Sequence, residues 1–97
     1  MIQRTVLLKF AETTTEEQMQ EVISRFKALQ GAIDGILEIR AGRNIAERSK
    51  EFQVVLMVRF ADRAALEAYT VNEQHQEVVT FIREVGRLDS IGVDFEL

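Results

Sequence analysis

Three polar side chains in apolar settings are the groups in this chain best placed to do chemistry. His75 is the only His, and no other side chain titrates near neutrality without help. It shares a helical side with Val78, Val79 and Ile82. That setting suits a general base whose pKa is moved by apolar neighbours. It suits equally a His that only caps or packs a helix end. Tyr69, the only Tyr, lies on the preceding helical stretch. Its phenol can donate to a developing enolate or hold a carbonyl. Otherwise it is a core Tyr whose hydroxyl finds a backbone acceptor. Arg4 interrupts an apolar strand face. There it either forks a ligand carboxylate or pairs with an acid such as Asp94 or Glu96. Asn72 either hydrogen-bonds a ligand carbonyl or caps the helix that begins beside it. Leu8, Phe26, Val54, Leu56 and Ile82 would line a pocket around these groups, or simply close the core.

Composition removes most other chemistry. The chain has 97 residues, 12 basic and 16 acidic, for a net charge of −4. It has no Cys, so disulfides, thiol nucleophiles and zinc–thiolate sites are excluded. One His among scattered carboxylates supplies no metal-ligand set, and no Gly-rich phosphate loop occurs, so neither metal nor cofactor is expected. The negative balance argues against nucleic acid and anionic membranes as partners. No apolar run approaches the roughly 20 residues of a membrane span. The opening Met1-Ile2-Gln3-Arg4 lacks the apolar core of a signal peptide, so the expected location is cytoplasmic.

The elements that must position these groups follow from periodicity. Ile2 to Phe10 alternates as a strand, with Ile2, Arg4, Val6, Leu8 and Phe10 on one face. A capping box, Thr14 with Glu17 or Thr15 with Gln18, opens a helix carrying Met19, Val22, Ile23, Phe26 and Leu29. Gly31 and Gly35 bracket its end. Ile36 to Gly42 reads as a second strand, residues 43–51 as a polar loop and Phe52 to Phe60 as a third strand. Asp62 is the expected N-cap of a helix with Leu66 and Tyr69. A break at Thr70–Glu73 precedes a second helical piece that Gly86 ends. Ile91 to Leu97 is the last strand, in one of two registers: Ile91, Val93 and Phe95 face the helices, or Gly92 and Asp94 do. The order βαββαβ makes residues 1–97 one α+β domain of ferredoxin-like sandwich architecture.

Helices cover one sheet face only. The other keeps Leu7, Val55 and Met57, with Leu37, Ile39 or both, rimmed by Gln3, Lys9, Gln53 and Arg59. An apolar centre with a polar rim is the pattern of an interface, so a face-to-face homodimer is expected.

Taken together, Val6-Leu7-Leu8-Lys9-Phe10, Gly42-Arg43-Asn44, Phe60, Leu66, Tyr69, His75 and Val93-Asp94-Phe95 resemble the stress-responsive dimeric α/β-barrel (Dabb) family over essentially the whole chain. The resemblance implies a ferredoxin-like protomer and a homodimer whose two sheets form an α/β barrel. It also implies a pocket between helices and sheet. Family cyclases that act on polyketide-like chains use a Tyr/His acid–base pair there, within the motif Tyr-x-x-His-Pro-x-His. Here the motif runs from Tyr69 to His75, with Asn72 and Glu73 in place of the first His and the Pro. Arg4, Phe26 and Val54 stand where those cyclases carry His, Tyr and an imidazole. Three functions are therefore expected as alternatives. One is a dimeric protein that binds a small apolar or carbonyl-containing molecule. Another is a cofactor-free cyclase or isomerase using His75 and Tyr69. The third is a cofactor-free monooxygenase of the antibiotic-biosynthesis type.

Overall fold

A computed structural model describes residues 1–97. The chain runs β1 (Ile2–Phe10), α1 (Glu16–Lys27), β2 (Ile36–Arg43), β3 (Val54–Phe60), α2 (Arg63–Val71), α3 (Glu73–Glu84) and β4 (Arg87–Glu96). A short 3₁₀ turn, Glu47–Ser49, lies in the loop before β3. The strands form one sheet in the order β2-β3-β1-β4, with every neighbour antiparallel. Interleaving the two halves in this way is the ferredoxin-like arrangement. No helix is long and apolar enough to cross a membrane.

Local chemistry accounts for the element ends. Of the two candidate capping boxes, the one that forms is Thr15 with Gln18. The Thr15 hydroxyl accepts from Gln18 N at 3.1 Å, and Gln18 Oε1 accepts from Thr15 N at 2.9 Å. Leu29 falls beyond α1 but stays in the core. Gly86 turns α3 into β4 at φ +113°, a conformation that excludes most side chains. A Cβ there would also stand 2.5 Å from Thr14 Oγ1. The Thr14 hydroxyl donates to the Val85 carbonyl, and Ala11 N donates to Gly86 O at 2.9 Å. These bonds tie the start of β4 to the end of β1.

The core lies between the helices and one sheet face. Ile2, Leu8 and Phe10 of β1, Ile39 of β2, and Val54, Leu56, Val58 and Phe60 of β3 are buried there against Met19, Val22, Ile23, Phe26, Tyr69, Val78 and Ile82. Arg25 of α1 lays its guanidinium 3.7 Å from the Phe81 ring centre of α3, joining the two helices at their outer edge.

Three strand bounds differ from the sequence reading. The last strand begins at Arg87, four residues before Ile91, because β4 follows the turn at Gly86 directly. The third strand begins at Val54 rather than Phe52, and the second extends to Arg43. Ile39 belongs to the core rather than to the open face. Leu37 is the extra residue of a bulge between Ile36 and Glu38, which returns Ile39 to the helix side.

The register of β4 is settled by its ladder with β1. Arg4 pairs with Asp94, Val6 with Gly92 and Leu8 with Ser90. Ser90, Gly92 and Asp94 therefore lie on the helix side. Ile91, Val93 and Phe95 join the open face, 46%, 57% and 51% exposed. That face now reads in rows across β3, β1 and β4: Val55–Leu7–Ile91, Met57–Thr5–Val93 and Arg59–Gln3–Phe95. Arg59 Nε is buried on it without a protein partner.

Candidate functional site

The site is built around the break between α2 and α3. Asp62 caps α2, accepting from Ala65 N at 2.8 Å. The helix stops at Val71 because Asn72 is extended, with φ −64° and ψ 134°. Asn72 Oδ1 then accepts from Gln74 N at 2.8 Å and from His75 N at 3.2 Å, which starts α3. Tyr69 thus occupies the last turn of one helix and His75 the first turn of the next. The kink brings their rings together at 3.9 Å between centres and 28° between planes. Phe60 of β3 meets the Tyr69 ring edge-on at 5.1 Å, so the pair rests on the core.

A cleft of ≈ 110 Å³ opens beside these rings. It is lined by Val6, Leu8 and Leu56 of the sheet, Phe26 of α1, and Val78, Val79 and Ile82 of α3. Its polar lining is Arg4, Tyr69, His75, Arg87 and Ser90. Its volume compares with the roughly 150 Å³ apolar cavity that holds a benzene ring. The structure thus brings together Arg4, Leu8, Phe26, Leu56, Tyr69, His75 and Ile82 from among the sequence candidates. Val54 and Asn72 lie outside the cleft lining. Val54 is fully buried on an inner strand under α1. Asn72 spends its carbonyl on the α3 cap. Val6, Val78, Val79, Arg87 and Ser90 complete the lining. The β4 pair, Arg87 and Ser90, required both the early start and the register of that strand.

The environment sets each group's charge. Tyr69 is buried, and burial pushes its phenol well above the usual value, with Arg4 acting in the opposite direction. Its hydroxyl therefore stays a hydrogen-bond donor. Burial pushes the His75 imidazole below its ordinary 6.5. The Arg4 charge adds to that, and the Thr70 and Tyr69 carbonyls oppose it. His75 Nδ1 is enclosed by protein, which leaves Nε2 as the ring nitrogen able to meet a ligand. Arg4 makes a two-pronged pair with Asp94, Nε to Oδ1 at 2.8 Å and Nη2 to Oδ2 at 3.1 Å. The hydrogen bonds from Arg4 hold the Asp94 carboxyl below its usual value. No group of three or more His, Cys, Asp or Glu side chains is arranged to hold a metal ion.

Asn72→Ala tests how the pair is positioned. Losing the cap should cost about 0.5–2 kcal/mol in denaturant unfolding. It should also shift the Tyr69 and His75 ring resonances, because the first turn of α3 carries His75.

The sequence as a whole matches one family model, described as the stress responsive A/B barrel domain (Dabb), over residues 2–97. The chain belongs to that family. Solved structures of this Dabb chain's fold include an Arabidopsis thaliana protein at 16% identity and TM-score 0.88, covering 100% of this chain and 95% of that one. A dimeric ferredoxin-like protein of unknown function from Jannaschia is 24% identical at TM-score 0.83, with 99% and 98% covered. The hydroxynitrile lyase of Passiflora edulis is 12% identical at TM-score 0.85, with 99% and 92% covered. At these identities the likeness is one of fold. No curated protein matches the Dabb chain by sequence.

Proposed function

We propose that the cleft of this Dabb protein binds a small carbonyl compound and moves a proton next to its carbonyl. The observation that carries this reading is the His75 imidazole stacked on the Tyr69 phenol ring where both line one apolar cleft. A neutral imidazole is the form able to accept a proton, and burial favours that form. In the proposed step, the α-carbon gives its proton to His75. The C–H electron pair moves toward the carbonyl oxygen, and the Tyr69 O–H donates to the enolate oxygen. Returning the proton at a different carbon isomerises the compound. Attack of the enolate on a second carbonyl closes a ring. The hydroxynitrile lyase among the fold neighbours supports the idea that this scaffold can carry an enzyme. The monooxygenase alternative draws on the same residues and gains no observation of its own.

The homodimer belongs to the same proposal. Leu7, Val55 and Met57, joined by Ile91, Val93 and Phe95, are its expected contact face, and dimeric fold neighbours support it. A cytoplasmic location belongs to the same proposal.

Proton transfer is testable without the natural substrate. The protein in D₂O should exchange the α-protons of phenylacetone, followed by proton NMR, faster than free imidazole at the same concentration. Exchange no faster than imidazole's would overturn the acid–base reading.

A further inference from the structure

The charges around the cleft are one-sided. Acids outnumber bases in the whole chain, 16 to 12. Yet both charged residues that line the cleft are Arg, Arg4 and Arg87, and no Asp or Glu lines it. The two differ in state. Arg4 is neutralised by its two-pronged pair with Asp94. Arg87 takes part in none of the five ion pairs of the protein. It stands on the helix side of β4, opposite Phe10 and close to Ser90, an exposed residue at the rim. The cleft therefore has an apolar body, a proton-handling pair inside and one unmatched positive charge at its β4 edge.

We infer that Arg87, with the Ser90 hydroxyl, binds the carboxylate of the ligand, so that the cleft takes small amphipathic carboxylic acids. This rests on the reading of the cleft as a ligand site and names the class of ligand. A guanidinium presents parallel N–H donors that match the two oxygens of a carboxylate. One guanidinium and one hydroxyl suffice for that group, whereas a phosphate dianion asks for more donors than the rim holds. The apolar end of such an acid packs on Val78, Val79 and Phe26. Its carbonyl, if it bears one, then falls beside Tyr69 and His75. Fixing the carboxylate at the rim sets how deep the molecule enters.

The test is equilibrium binding, independent of turnover. Calorimetric titration of the whole protein at low salt compares phenylacetate with phenylacetamide, which have the same shape and differ in charge. Phenylacetate should bind about tenfold or more tightly, the difference a charge-assisted hydrogen bond provides. Arg87→Gln should erase that preference while keeping the far-UV circular dichroism unchanged, and Arg87→Lys should keep part of it. Equal binding of the two probes, or a preference that survives in Arg87→Gln, would overturn the inference and leave the cleft as a ligand site. Failure of both probes to bind would overturn the inference and the ligand-site reading together.

Discussion

Replacing His75 by Gln should slow α-proton exchange of phenylacetone by about two to four orders of magnitude, the range ascribed to a positioned general base. Gln keeps a polar side chain of similar reach, and its amide does not take up a proton near neutrality. The fold should be little changed, because His75 is only half buried and its backbone is held by the Asn72 cap. Tyr69→Phe supplies the complementary test. Phe keeps the ring that stacks on His75 and meets Phe60, and removes only the hydroxyl. The loss of one donor to a developing oxyanion costs about a hundredfold to a thousandfold. The two variants together should cost less than the product of their separate losses, because each acts on the same transition state. Exchange by His75→Gln at the wild-type rate would remove His75 as the base.

Val93→Asp should convert the proposed homodimer to a monomer. Val93 is 57% exposed in the protomer, so a carboxylate there is solvated and the fold tolerates it. In a face-to-face dimer the same carboxylate is enclosed beside Met57 and Thr5, its neighbours across the open face. Burying an unpaired charge costs several kcal/mol, a weakening of about a thousandfold or more. Sedimentation velocity at micromolar concentration should show a dimer for the wild type and a monomer for Val93→Asp. A variant that remains a dimer would place the interface elsewhere.

Much of this was legible in the residues, and the losses have physical causes. Strict alternation from Phe52 to Phe60 found β3, because an inner strand covered on one side shows its two faces cleanly. Helix starts were legible wherever a side chain caps them, at Thr15, Asp62 and Asn72. The last strand was harder. Alternation separates Ile91, Val93 and Phe95 from Gly92 and Asp94, but it does not say which set the helices cover. The apolar set lies on the face away from the helices, which inverts the usual inference from hydrophobicity. The same strand hid part of the site, since Arg87 and Ser90 reach the cleft only through its register. Ile39 was ambiguous because a bulge at Leu37 shifts the pleat by one residue, and a bulge has no strong local signature. Arg4 was legible as a misfit on an apolar face, and its ladder partner Asp94 explains why the misfit is tolerated.

The central claim is that His75 is a neutral base held in an apolar cleft. The most direct measurement is its own titration, followed by NMR of the single imidazole across pH 4 to 9. Since burial disfavours the imidazolium, the folded pKa should lie below the 6.5 of a free imidazole. The sign carries over to stability. The unfolded chain takes up the proton first, so this contribution is complete above about pH 6.5 and is lost as pH falls toward the folded pKa. Phenylacetone should also shift the imidazole resonances at pH 7. A His75 that titrates at or above 6.5 and ignores the ketone would contradict the account.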